Sequence, residues 1–251
     1  FSTIGGGKDN TTGTGADYAA VCGGINSYAQ GMWSFVGGGS VNTASGLYSS
    51  IPGGQGNTAS GSHSFIGGGA FCVASGLVAV VLGGDRNLAN GDYSACIGGR
   101  DADTRNLVNC TALGTKYFAN RGDAQTRRCV LKAGTTSATA GRVLSDDTAS
   151  DDKNNIAILN DSAYYFNGEV IAREQATGDT SAWDVKGLIK RGTGVGSTAL
   201  VGTPTVTQVF NDAGAAAWVI AVTADATLGG IKIEVTGEAA HTIRWVANFK
   251  T

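Results

Sequence analysis

Tyr48-Ser49-Ser50-Ile51-Pro52-Gly53-Gly54 is one copy of a motif that runs through the first half of this sequence. Variant copies start at Phe1, Tyr18, Trp33, His63, Val78 and Tyr93, and a degraded copy starts at Asn109. From Tyr18 to Tyr93 the starts are 15 residues apart, with spacings of 17 and 16 at the two ends. Each copy has a second half, as in Asn42-Thr43-Ala44-Ser45-Gly46 and Asn57-Thr58-Ala59-Ser60-Gly61. One unit therefore reads aromatic, Ser/Ala, variable, Ile/Val, variable, Gly, Gly, and closes on Asn-x-Ala-x-Gly.

A fixed short period of this kind is the signature of stacked coils. Alternation within each half predicts strand, because successive side chains point to opposite faces. The glycines mark corners, where positive φ costs them nothing sterically. A helix is excluded, since a Gly pair in every unit costs about 2 kcal/mol per copy relative to Ala. The second position (Ser34, Ser49, Ser64) and the fourth (Val36, Ile51, Ile66) share a face, and with Ala44, Ala59 and Ala74 they predict a narrow interior. About eight coils of 15 residues, at roughly 4.8 Å each, predict a solenoid on the order of 38 Å long.

The opposite face carries a ladder: Phe1, Tyr18, Trp33, Tyr48, His63, Val78 and Tyr93, with Phe35, Phe65 and Val80 beside it. An exposed apolar stripe of that length argues for association. Stacking of the rings on sugars is the other reading of the ladder, and burial between chains is favoured because the stripe runs through nearly every coil.

Composition sets the frame around the repeat. The 251 residues carry 18 basic and 20 acidic side chains and 40 glycines. Twenty-seven glycines fall in residues 1–124 and 13 in 125–251, which marks a boundary. The expected division is a repeat domain over 1–124, a linker over 125–154 and a β-domain over 155–251. No Lys/Arg run exceeds a pair such as Arg127-Arg128, so no nucleic-acid partner is expected. The most apolar stretch, Gly214 to Val222, is far short of the ~20 residues of a membrane span, so no membrane insertion is expected. The only methionine is Met32, and the opening Phe1-Ser2-Thr3-Ile4 already lies inside the pattern, which suggests a processed chain or a piece of a longer one.

The string Ser34-Phe35-Val36-Gly37-Gly38-Gly39-Ser40-Val41-Asn42-Thr43-Ala44-Ser45-Gly46 resembles the head repeat of trimeric autotransporter adhesins of the Yersinia adhesin type. The resemblance covers roughly residues 1–123. It implies a left-handed parallel β-roll with three chains to a head, and thus a homotrimer.

The second half reads as short strands: Ser162 to Arg173, Ala182 to Lys190, Thr198 to Val201, Thr205 to Phe210, Ala216 to Val222, Ile231 to Val235 and Thr242 to Phe249. Turn residues separate them, which predicts an antiparallel β-sandwich. Trp183, Trp218 and Trp245 are its candidate core. The runs from Ser162 to Arg173, Trp183 to Ile189 and Ile243 to Ala247 resemble a C-terminal β-domain of bacteriophage tail fibres. That resemblance implies a trimeric fibre tip or knob.

Five features of the sequence could carry chemistry. Glycosidases need two facing carboxyl groups, but the repeat has no glutamate before Glu169, and Asp101/Asp103 read as solvated loop charges. Asp146, Asp147, Asp151 and Asp152 lack the spacing of a calcium loop. His63 and His241 belong to no Cys/His metal pattern, and His63 occupies a ladder position. Gly192 to Ser197 lacks the Lys of a phosphate loop and reads as a turn. The five cysteines, Cys22, Cys72, Cys96, Cys110 and Cys129, are expected as reduced thiols, with interchain bridging left open near Cys129.

The expectation is an all-β, non-enzymatic fibre of a phage virion, assembled in the host cytoplasm and exposed on the particle. No catalytic, metal or cofactor site is expected. Its partners would be two further copies of itself, other virion proteins, and a glycan or protein of the host surface. The alternatives are a bacterial trimeric adhesin head and a glycan-degrading tailspike. Recognition is placed on loops of the second half: Glu174 to Ser181, Arg191 to Ser197 and Thr223 to Gly230. The first supplies the candidate contacts Gln175, Thr177, Asp179 and Thr180, with an ordinary solvated hairpin as the competing reading.

Overall fold

Each fifteen-residue repeat closes one turn of a parallel β-solenoid of about seven turns. The computed structural model describes residues 1–145 and 154–251, as one unit over Phe1–Arg127 and another over Arg128–Thr251. Two-residue strands stack in register: Phe35–Val36 lies between Ala20–Val21 and Ser50–Ile51, and Thr43–Ala44 lies between Tyr28–Ala29 and Thr58–Ala59. Eight strands line one face and six the other. The degraded copy explains the difference from eight full coils. Its strand Cys110–Gly114 pairs with Ala95–Gly99, whereas the second face ends at Leu88–Ala89.

The interior holds the residues that alternation placed there. Val21, Val36, Ile51, Ile66 and Val81 are fully buried, as are Ala44, Ala59, Ala74 and Ala89. Asn42, Asn57 and Asn87 are also fully buried, which the sequence reading had not placed inside. They lie two residues before the buried alanines and so share their face. Asn42 Nδ2 donates to the Gly38 carbonyl of its own coil and the Gly54 carbonyl of the next, both at 2.9 Å. Its Oδ1 accepts from the Asn57 N–H at 3.0 Å, and Asn57 repeats the arrangement onto Cys72. Where Cys72 replaces Asn, its thiol donates to the carbonyls of Ala70 and Gly84. Along the asparagine line the interior is thus polar and hydrogen-bonded from coil to coil.

Glycine is not alone in taking positive φ at the corners. Tyr18, Trp33, Tyr48, His63, Val78 and Tyr93 all lie at φ between 54° and 60°. This reverses their N–H groups. Phe35 donates forward to Ser49, but Tyr48 donates back to Met32. The ladder residues from Trp33 to Tyr93 therefore donate to the preceding coil, while Phe35 and its equivalents donate to the following one.

The end of the second face is closed by a side chain. Gln125 accepts from the Asp103 N–H at 2.7 Å and donates to the Asp103 carbonyl at 2.8 Å, standing in for the next coil's backbone. Asp101 and Asp103 are not the solvated loop charges expected. Asp101 is buried and lies 3.1 Å from Arg86 Nε and 3.3 Å from Arg100 Nε. Burial pushes the Asp103 carboxyl up from its ordinary value.

The second unit has two antiparallel sheets. In the larger, residues 128–135 pair with Ile243–Lys250, which pairs with Ser162–Glu174 and then Thr180–Arg191. Ala199–Leu200 and Thr205–Asn211 both pair with Thr180–Arg191. In the smaller, Gly230–Thr236 pairs with Gly141–Arg142, Ile156–Ala157 and Val219–Asp225. All seven expected strands form. The expected linker 125–154 instead contributes the strand Gln125–Thr135. Cys129 and Leu131 face inward there while Arg128, Val130 and Lys132 face out, an alternation masked by its charges. Trp245 of the larger sheet lies 5.6 Å from Trp183 and 5.8 Å from Trp218, which precedes a strand of the smaller sheet. Its indole N–H donates to Thr135 Oγ1.

Gly53 and Gly54 separate two reasons for glycine. A Cβ on Gly54, at φ +100°, would lie 2.3 Å from the Gly69 carbonyl oxygen, whereas a Cβ on Gly53 meets nothing within 4 Å. Gly54→Ala should cost several kcal/mol through that clash and the left-handed backbone, and Gly53→Ala less than about 1 kcal/mol. Thermal melts of the two variants check the contrast; equal melting temperatures would contradict the inter-coil packing.

Candidate functional site

The ladder residues from Phe1 to His63 form a continuous stack. Tyr18 and Trp33 lie 5.6 Å apart at 5° between ring planes, and Trp33 and Tyr48 lie 4.8 Å apart at 3°. Phe1 tilts onto Tyr18, and His63 stacks on Tyr48 at 4.9 Å. Val78 interrupts the run, leaving Tyr93 without a ring neighbour in the stack. The side chains are near half-exposed, with Trp33 at 42% and Tyr48 at 45%. Because the rings stack along the coils, their faces cover one another and their edges meet solvent. A sugar that packs on a ring face finds those of Trp33 and Tyr48 already occupied.

The Glu174 to Ser181 loop is a hairpin that consumes its own polar groups. Gly178 turns it at φ +82°. Glu174 is buried and accepts from the Thr177 N–H and, at 3.0 Å, from Thr177 Oγ1. Thr177 Oγ1 also lies 2.7 Å from Asp179 Oδ2. Thr180 donates from its N–H and hydroxyl to Asp212, at 2.9 and 2.8 Å. Gln175 lies against Arg244, its amide oxygen facing the guanidinium. Thr177, Asp179 and Thr180 are thus brought together at one turn, and Gln175 is turned toward a neighbouring strand.

A site that the sequence reading did not single out lies on the outward face of the larger sheet. Glu169 on Ser162–Glu174 pairs with Asp184 on Thr180–Arg191, and Asp184 pairs with Thr207 on Thr205–Asn211. The next outward row is Asn167, Lys186 and Thr205. Tyr165 follows, 59% exposed. These residues line a shallow trough of 350 Å³. Among the described residues neither Glu169 nor Asp184 has a side-chain partner. Strand alternation was the available signal: Tyr165, Asn167 and Glu169 all take the face opposite to buried Tyr164, Phe166 and Val170. What single-strand reading lacks is the register that sets Glu169 beside Asp184.

The other candidates form no reactive centre. All five cysteines are free thiols, and burial pushes Cys96 up to about 12, so it stays protonated. Among the described residues no three His, Cys, Asp or Glu side chains converge as a metal set. Asp146, Asp147, Asp151 and Asp152 lie outside those residues. His241 Nδ1 is 3.9 Å from Glu174 Oε1. Val195–Ser197 forms a short 3-10 turn, with Ser197 Oγ accepting from the Gly192 N–H. Among the described residues no helix is long and apolar enough to cross a membrane.

No protein-family model and no curated protein matches the chain. Three of the solved structures it resembles are phage tailspike proteins. They are the Acinetobacter baumannii phage AM24 tailspike (10% identity, TM-score 0.30), the gp49 tailspike of A. baumannii bacteriophage Fri1 (10%, 0.31) and the tailspike of Acinetobacter phage vB_ApiP_P1 (8%, 0.23). The alignments cover 97%, 92% and 98% of this chain but only 54%, 39% and 53% of those chains. None of the three is a trimeric autotransporter adhesin. The overlaps are too loose to transfer any residue. The expectation of a non-enzymatic chain is corrected on one of them, because the gp49 tailspike is described as a capsular polysaccharide depolymerase.

Val78 and Glu174 give two tests. A β-branched residue is poorly suited to φ +55°, and Val78 also breaks the ring stack. Val78→Tyr should stabilise the solenoid by about 1–2 kcal/mol, read as a higher melting temperature; a lower one would contradict the stacking geometry. The Thr177 N–H, bonded to Glu174, holds the Glu174 carboxyl below its ordinary value. Its contribution is complete above the unfolded-state pKa and is lost as pH falls through the folded one. Glu174→Gln should therefore melt below the parent at pH 7, and the gap should close below the ordinary glutamate range. A gap that persists in acid would assign the effect to packing.

Proposed function

We propose that this chain is part of a bacteriophage tail appendage that engages a polysaccharide of the host surface. In this reading the solenoid, residues 1–124, is a shaft built from three copies. The C-terminal β-domain, which takes in residues 128–135 as well as 155–251, is a sandwich that carries recognition. The observation that carries the reading is the ring ladder. One side chain per coil projects outward, in register, and from Tyr18 to Tyr48 each is a ring with its edge exposed and its faces taken by its neighbours. Such a stripe is suited to burial along another chain more than to a stacked sugar. The repeat offers little other chemistry: it is glycine-rich and poor in charge, as a spacer is.

Depolymerisation of the same polysaccharide is the second reading, and Glu169 beside Asp184 favours it. Directly opposed cross-strand residues place their side chains next to one another on one face of the sheet. Retaining glycosidases hold their two carboxyl groups about 5–5.5 Å apart. Release of reducing ends from bacterial capsular polysaccharide, lost in Glu169→Gln and in Asp184→Asn, would establish it.

Light scattering tests the assembly. The chain should give a species of about three times 25.3 kDa. Trp33→Ser combined with Tyr48→Ser should shift it toward smaller species. A stable monomer at micromolar concentration would sink the three-chain shaft.

A further inference from the structure

The outward face of the larger C-terminal sheet carries chemistry that the fold does not need. Three adjacent antiparallel strands place Glu169, Asp184 and Thr207 in one row and Asn167, Lys186 and Thr205 in the next. Like charges directly opposed on a sheet destabilise it. Among the described residues neither carboxyl group has a side-chain hydrogen bond or ion pair. A ligand rich in hydroxyl donors would satisfy both, since carboxylate oxygens are acceptors. Lys186, one row away, supplies donors to an acceptor on the same ligand. Tyr165 bounds the trough with an exposed ring and no stacking partner among the described residues. This is the reverse of the solenoid ladder, where each ring face from Tyr18 to Tyr48 is occupied. The 350 Å³ volume falls at the small end of ligand-sized clefts, which run from about 300 to 1,000 Å³.

We propose that this trough is an oligosaccharide subsite. Tyr165 would lie against the apolar face of one sugar ring. Glu169 and Asp184 would accept hydrogen bonds from adjacent hydroxyls, and Lys186 would donate to a ring or carbonyl oxygen. The ligand class is a polyhydroxylated, hexose-containing glycan chain, running across the strands past Thr205 and Thr207. The trough's openness along the sheet suits an internal stretch of a polymer more than a closed end. The proposal rests on the reading of the chain as a polysaccharide-engaging appendage and adds to it the place and the contacts.

The test uses the full chain on an array of purified bacterial capsular and O-antigen polysaccharides, with titration calorimetry against oligosaccharides cut from any that bind. Four proteins are compared: the parent, Tyr165→Ala, Tyr165→Phe and Asp184→Asn. Tyr165→Ala and Asp184→Asn should each weaken binding tenfold or more, with melting temperature preserved. Tyr165→Phe should bind as the parent does, because the ring and not its hydroxyl makes the contact. If the parent binds a polysaccharide and Tyr165→Ala binds it equally, the subsite assignment is overturned and the appendage reading stands. If the parent binds none of the array, the appendage reading itself falls, and the subsite with it. Weakened binding together with lowered melting in every variant would assign the face to folding and overturn the proposal.

Discussion

The solenoid depends on how closely its coils approach at their corners. At the glycines that close each unit, the carbonyl oxygen of the next coil lies where a side chain would start: a Cβ on Gly46 would be 2.0 Å from the Gly61 oxygen, and one on Gly61 2.0 Å from that of Gly76. This short approach lets two-residue strands stack with their hydrogen bonds near 2.9 Å. It also sets the one-coil spacing at which Trp33 and Tyr48 stack and at which Asn42 reaches the next coil. Glycine here is required for its missing atom, a demand separate from φ. The buried asparagines convert the same approach into specificity, because each amide, besides its bond within its own coil, bonds to a neighbour displaced by one full unit. A register slip would break those inter-coil bonds, at a cost of about 0.5–1.5 kcal/mol each.

The backbone direction of the ladder residues follows from that stacking. The first residue of each strand, such as Phe35 or Ser50, donates toward the next coil, and the chain turns at its corners to begin that coil. Left-handed φ at Tyr48 and Tyr93 reverses the peptide and ties the corner back to the coil behind. The cost falls on bulky side chains, which usually avoid this region. Ring stacking offsets it where neighbours are aromatic. At Val78 nothing does, and the strain there remains uncompensated.

How far the sequence carries can be judged from particular residues. The fifteen-residue period announced the solenoid, since each coil repeats one solution to one packing problem. Alternation placed Val36, Ile51 and Ala44 inside. Asn42 was missed because a polar residue reads as exposed, although its spacing from Ala44 put it on the inner face. Asp101 was missed for a related reason: Arg100 is its neighbour in sequence, but its other partner, Arg86, comes from the preceding coil. Gln125–Thr135 looked like linker because its charges hid a period of two. The trough was illegible for a different cause. Glu169 and Asp184 are fifteen residues apart along the chain, and only the register of two long strands sets them opposite one another.

The two units divide the chemistry in a way that the repeat itself explains. A coil that must match its neighbours cannot vary one position freely: a new side chain at an inner position meets the same position in the coils above and below. Surfaces of the solenoid are therefore repetitive, and its exposed rings are held by one another. The larger sheet of the second unit has no such constraint on its outer face, where side chains point to solvent and the strands are fixed by an inner layer of Trp183, Val185 and Phe166. That face can hold a locally unfavourable pair such as Glu169 and Asp184 without disturbing the core. Residues that break a local stability rule are expected at functional or strained sites; Val78 is such a place in the solenoid, and Glu169 beside Asp184 is such a place on the outer face of the sheet.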